Sequence, residues 1–158
     1  GYPITTALDT PLNASFTRYA RLPALRWEGE EWTYTEVERI TGALAGGLQQ
    51  AGVAPGDVVG TVLDRGPWQV WSRLALARCG AVELPLDPDA PLQRINQTLS
   101  DARATTVLCT DPQRHTFPED VTVHRPELLS GNFQPPSDLG PASPLIMIYT
   151  SGTTGRPK

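Results

Sequence analysis

Positive charge is scarce in this chain. Only 13 Lys and Arg residues stand against 17 Asp and Glu, a net charge of −4. No basic face is available to meet the phosphates of a nucleic acid, so a nucleic-acid partner is not expected. Long apolar runs are missing too: nothing approaches the roughly 20 residues of a membrane-spanning helix, and no membrane partner is expected. Residues Gly1-Tyr2-Pro3-Ile4-Thr5 show no basic stretch followed by an apolar core, so no secretory leader is visible and a cytoplasmic location is expected. Cysteine is limited to Cys79 and Cys109, each inside an apolar run, which reads as two buried free thiols in a reducing compartment. The histidines are limited to His115 and His124, in a Pro- and Thr-rich stretch without partners at metal-ligand spacing. They read as surface residues, and no metal site is expected. Asp111, Glu119 and Asp120 form no acid–base pair and read as solvated.

What remains is a chain of 158 residues, 39% apolar and 19% charged, long enough for one domain with a core. Its 16 prolines and 14 glycines lie mostly between periodic segments, where they mark turns. Leu8, Leu12, Phe16 and Tyr19 recur at helical spacing. Segments 24–27 and 31–34 flank Glu28-Gly29-Glu30 as a small hairpin, with Glu28, Glu30 and Glu31 as surface decoration. Thr35 and Glu38 have the spacing of a capping box. Val37, Ile40, Leu44 and Leu48 follow as an apolar stripe, stopped at Gly52. Gly42, Gly46 and Gly47 weaken that helix by up to about 1 kcal/mol each, a pattern that suits close approach of a neighbouring segment.

Residues 57–63 are strand-like, and Pro67 opens a helix carrying Trp68, Trp71, Leu74 and Ala75 with Gly80 as its stop. The two tryptophans read as core packing rather than a stacking platform. Segment 81–86 is a second apolar run, Pro91 opens a helix with Leu92, Ile95, Leu99 and Ala102 on one face, and 105–109 is strand-like again. Alternation of helix and strand predicts an α/β fold: alternating helices and a largely parallel sheet, with helices on both faces. Residues 130–144, rich in Pro, Ser, Gly and Asn, read as an exposed connector. An apolar strand at 145–149 follows and feeds the final segment, 150–158. No repeats or low-complexity tracts interrupt the pattern.

That final segment carries the chemistry. Glycines let backbone amides approach an anion closely. The hydroxyls of Thr150, Ser151, Thr153 and Thr154 add donors, and Lys158 adds a mobile positive charge. Such a loop can hold the β- and γ-phosphates of a nucleotide while charge builds on a leaving pyrophosphate. It is not the usual NTPase loop, because Gly152, Gly155 and Lys158 are spaced three apart and Pro157 precedes the lysine.

The string Tyr149-Thr150-Ser151-Gly152-Thr153-Thr154-Gly155-Arg156-Pro157-Lys158 resembles the phosphate-loop signature of the adenylate-forming superfamily. Its members include acyl-CoA synthetases, luciferases and the adenylation domains of nonribosomal peptide synthetases. Trp32-Thr33-Tyr34-Thr35-Glu36-Val37 resembles the family's first conserved segment. Leu76-Ala77-Arg78-Cys79-Gly80-Ala81-Val82-Glu83-Leu84-Pro85-Leu86-Asp87-Pro88 resembles its second. The likeness runs from about Pro11 to Lys158. Leu86-Asp87-Pro88 and the Tyr149-Thr150 lead-in are most similar to peptide-synthetase adenylation domains, with Glu83 and Ala90 standing where those domains commonly carry tyrosine.

The resemblance implies that residues 1–158 form the first part of the large N-terminal domain of an adenylate-forming enzyme. It implies ATP with Mg as the nucleotide, held by Thr150, Ser151, Gly152, Thr153, Thr154, Gly155 and Lys158. It also implies an aminoacyl-adenylate and pyrophosphate as products, and a carrier protein whose phosphopantetheine thiol accepts the acyl group. Asp87 and Glu36 match family positions but read as structural, a turn cap and a helix-start carboxylate. No residue here is assigned a catalytic or metal-binding role. The acid pocket and the small C-terminal domain lie downstream in this family, so the remainder of the adenylation domain is an implied partner. These 158 residues alone are expected to be inactive. A segment of an acyl- or aryl-CoA ligase, or a non-catalytic truncated domain serving as a docking module, are the alternatives. A small helper protein is left open as a further partner.

Overall fold

The sheet is built from apolar runs that the chain lays down side by side and in parallel. The computed structural model describes residues 21–137. Three sequence expectations lie outside them: the helical spacing from Leu8 to Tyr19, the strand at 145–149 and the loop at 150–158.

Strands β1 (Pro23–Trp27) and β2 (Glu30–Thr33) pair antiparallel, with Trp27 opposite Glu30. The hairpin is as expected, and its turn places Glu28 and Gly29 at positive φ. Glu31 lies on its surface and pairs with Arg26 at 3.0 Å. Tyr34 is not part of the second arm but begins helix α1 (Tyr34–Gln50). The cap of that helix is accordingly Thr33, whose Oγ1 accepts from the Glu36 N–H at 3.2 Å. Thr35 and Glu38 have the right spacing but stand two residues too late. Glu36 is the acidic residue of the first turn, where a carboxylate favours the helix dipole.

Strand β3 (Val58–Val62), helix α2 (Pro67–Arg78), strand β4 (Val82–Leu86), helix α3 (Leu92–Asp101) and strand β5 (Thr106–Cys109) then alternate as predicted. A short strand, β6 (Thr122–His124), was not expected and adds to the sheet beyond β5. The strand order is β4-β3-β5-β6, with every pairing parallel. Pro85 stands in β4, at the margin of the described sheet.

Helices cover both faces. On one side α1 and α2 bury Val37, Leu44, Leu48, Trp71, Leu74 and Ala75 against Val59 and Leu108. On the other, α3 buries Ile95 and Leu99 against Val62, Leu84, Val107 and Cys109. Trp71 is core, meeting Trp32 edge-on with ring centroids 5.4 Å apart. Cys79 and Cys109 are free and buried, as expected.

The glycines of α1 have a specific use. Residues 129–134 cross the helix where Gly46 and Gly47 remove its side chains. A Cβ on Gly46 would fall on the Gly131 carbonyl, and one on Gly47 would come within 2.6 Å of the Ser130 nitrogen. The described part of the expected connector is therefore tied down: Gly131 and Phe133 are half-buried against α1 rather than free in solvent. No helix among the described residues is long and apolar enough to cross a membrane.

Candidate functional site at the carboxyl ends of the strands

In open parallel sheets, ligands meet the carboxyl ends of the strands where the strand order changes direction. Here that point lies between β3 and β5, because the chain passes from β3 to β4 on one side and returns to β5 on the other. The groups at these ends are Asp64 after β3, Asp87 to Asp89 after β4, and Thr110 to His115 after β5.

They are joined to one another. The Arg114 guanidinium reaches Asp64 Oδ1 at 3.1 Å and Asp89 Oδ1 at 2.9 Å. Thr110 Oγ1 donates to Asp64 Oδ2 at 3.1 Å and accepts from the Asp64 N–H at 3.0 Å. Hydrogen bonding to Asp89 and the charges of both carboxylates push the Arg114 guanidinium above its ordinary value. Asp87 caps its own turn, with Oδ1 accepting from the Asp89 N–H at 2.8 Å, so the structural reading of Asp87 holds.

His115 corrects the sequence expectation. It is buried, not superficial. Its Nε2 lies 2.9 Å from the Pro88 carbonyl oxygen and its Nδ1 lies 3.4 Å from the Asp111 carbonyl oxygen. Nδ1 faces Cys109 Sγ at 3.9 Å, and the ring stacks on Phe117. The residue fastens the Asp87-Pro88 turn to the end of β5. Burial pushes the Cys109 thiol up, so this pair is not an activated nucleophile.

Chemically, this rim braces the strand ends rather than transforming a substrate. Its carboxylates serve an arginine and a turn, and no group of three or more His, Cys, Asp or Glu among the described residues could hold a metal ion. Thr150, Ser151, Gly152, Thr153, Thr154, Gly155 and Lys158 lie outside the described residues. Sequence reasoning missed Arg114 and His115, whose partners are 50 and 27 residues away. The only local hint is their place just after an apolar strand.

Residues 12–158 match the family described as AMP-binding enzyme. The chain belongs to that family. Among its AMP-binding relatives, it is 33% identical over 161 residues to the nonribosomal peptide synthetase opaA of Aspergillus ustus, a match covering 95% of this chain and 4% of that protein. It is 30% identical over 142 residues to the vanchrobactin synthetase VabF of Vibrio anguillarum, covering 85% and 5%. The chain thus spans a small fraction of these synthetases. In structure it is similar to the N-terminal subdomain of Klebsiella oxytoca NpsA, seen in complex with 3-hydroxybenzoyl-AMSN. That match has a TM-score of 0.81 and 28% identity and covers 93% of this chain and 38% of the other. An artificially fused adenylation–PCP di-domain from the same organism matches with a TM-score of 0.80 and 25% identity, covering 92% and 27%. The α/β fold of this AMP-binding chain is that of the N-terminal subdomain of adenylation domains.

Proposed function

We propose that these 158 residues are the first part of an adenylation domain that activates an amino acid with ATP in nonribosomal peptide synthesis. The observation that carries this reading is the string from Tyr149 to Lys158, ten matching residues in a row at the end of a chain that matches AMP-binding enzymes from residue 12. In the proposed reaction, a carboxylate oxygen of the amino acid attacks the α-phosphorus of ATP. The bond from that phosphorus to the bridging oxygen breaks, and pyrophosphate leaves with the electron pair. The acyl group then passes to a carrier-protein thiol, and AMP is released.

In-line displacement at phosphorus asks mainly for positioning and charge stabilisation. The amides and hydroxyls of Thr150, Ser151, Gly152, Thr153, Thr154 and Gly155, with the Lys158 ammonium, are the groups proposed to supply it at the β- and γ-phosphates. ATP is proposed as its magnesium complex, with no residue of this chain assigned to the metal. A cytoplasmic location, where ATP is available, belongs to the same proposal. So does the inactivity of these residues alone, since the match covers 38% of the NpsA subdomain.

A second reading replaces the amino acid by an aryl acid, as in an aryl-CoA ligase. The observation behind it is that NpsA is complexed with 3-hydroxybenzoyl-AMSN and with 3-hydroxyanthranilyl-AMSN. ATP–pyrophosphate exchange decides between them, run on this chain and on the longest natural reading frame containing it, with amino, aryl and fatty acids. Exchange by the long form with one amino acid, and none by the short chain, is expected. Exchange with aryl or fatty acids alone supports the ligase reading. No exchange by either form removes the proposal.

A further inference from the structure

Charge is unevenly placed at the carboxyl ends of the strands. After β3, β4 and β5, the carboxylates of Asp64, Asp87, Asp89 and Asp111 stand against the cations Arg65 and Arg114. Asp87 Oδ1 accepts from the Asp89 N–H and Asp64 Oδ2 from Thr110, but neutral donors leave the charge in place. Among the described residues, Arg114 is the cation that pairs with this group. Its Nη1 meets Asp64 and its Nη2 meets Asp89, so one planar fork at the end of β5 covers carboxylates at the ends of β3 and β4.

These pairs add little to stability. The side chains of Arg114, Asp64 and Asp89 are 43%, 47% and 81% exposed, and ion pairs so open to water are weak. That same exposure lets their charge act on whatever approaches the strand ends. In an open parallel sheet a ligand sits there, where the strand order changes direction. Here the change falls between β3 and β5, the strands that Asp64 and Arg114 follow. The nucleotide of an AMP-binding family is an anion. Uncovered aspartates would repel it over about 10 Å at 0.1 M salt.

We propose that Arg114 is a positioning residue for the nucleotide, covering Asp64 and Asp89 so that the rim at the switch point does not repel the phosphates. This rests on the adenylation reading above. The guanidinium acts through the two carboxylates it neutralises, not by contact with the nucleotide.

The test uses the longest natural reading frame containing these residues. Calorimetry at low and at high salt gives dissociation constants for Mg-ATP and for adenosine. Arg114→Gln weakens Mg-ATP about threefold at low salt. The deficit fades at high salt, and uncharged adenosine binds as before. Arg103→Gln removes the same charge near the amino end of β5 and leaves both constants unchanged. Asp89→Asn tightens Mg-ATP binding, and adding Asp64→Asn and Asp89→Asn to Arg114→Gln restores it. Unaltered Mg-ATP affinity in Arg114→Gln overturns the proposal. So does a loss shared by adenosine and indifferent to salt, which assigns Arg114 to the fold alone, or an equal loss in Arg103→Gln, which reports net charge. If Arg114→Gln does not fold, Asp89→Asn carries the test, and its failure to tighten Mg-ATP binding overturns the proposal. An unsubstituted enzyme that binds Mg-ATP yet exchanges no pyrophosphate removes the adenylation reading and leaves the affinity ratios to judge Arg114. One that binds no Mg-ATP overturns both.

Discussion

Glu83 is buried beneath α2, where its two carboxylate oxygens accept from Thr61 Oγ1 at 2.6 Å and from Arg73 Nε at 2.8 Å. The Arg73 side chain is 45% exposed whereas that of Glu83 is 3% exposed, and the two are therefore not equivalent. Removing the arginine strands a carboxylate in the core. Removing the carboxylate leaves a guanidinium that water can reach.

Arg73→Met should consequently cost about 2 kcal/mol or more, and Glu83→Gln, which keeps an acceptor for Thr61, about 1 kcal/mol. Urea denaturation of both variants checks the order. Equal costs would show that the arginine does not hold the buried carboxylate in place.

Gly42, Gly46 and Gly47 share one helix, yet Gly42 and Gly47 should answer to alanine with opposite signs. A Cβ at Gly42 would meet the Arg78 guanidinium at 3.6 Å, an ordinary contact, so Gly42→Ala stabilises by about 0.5–1 kcal/mol through helix propensity. Gly47→Ala places a methyl 2.6 Å from the Ser130 nitrogen and should destabilise by about 1–3 kcal/mol as an overpacked contact. Comparison of denaturation midpoints tests the sign directly.

Burial pushes the Cys79 thiol from its ordinary 9.0 up to about 12. Both states keep the proton below 9.0, and between 9.0 and about 12 the unfolded chain loses it first. This residue's contribution to stability is therefore full below that window and lost as pH rises through it. Cys79→Ala should flatten the alkaline fall in stability. Thiol reagents at pH 8 should label neither cysteine until the chain is unfolded, which mass spectrometry reads directly.

Lys158 is the only lysine in these residues, which makes its proposed phosphate contact testable by chemistry. In the full reading frame, Mg-ATP should slow acylation of the peptide containing Lys158 several-fold. Adenosine, which lacks phosphates, should not. Equal protection by both would move the contact away from the phosphates.

The parallel core was legible because its strands are short apolar runs and its helices repeat at helical spacing. What escaped was decided by partners distant in sequence. Thr33–Glu36 and Thr35–Glu38 have the same spacing, and the choice falls to the hairpin, which pairs Thr33 with Pro23 and ends there. Strand β6 has three residues, Thr122–His124, too few to show a period. It is supported by Phe117, Val121 and Val123 packing on the second core. The glycines of α1 announced a close neighbour, but nothing local to them names residues 129–134. The phosphate loop was legible as a string alone, and its residues lie outside those described.

Pro85 has one more effect. The Val82 N–H points to Asp57, donating to its carbonyl at 2.7 Å. Successive residues of a strand alternate, so position 85 turns its nitrogen away from β3, and proline has no hydrogen there to offer. A foreign strand approaching along that margin finds a missing donor where the ladder needs one. Among the described residues, position 85 of β4 therefore offers only an acceptor to any strand that would extend the sheet on that side.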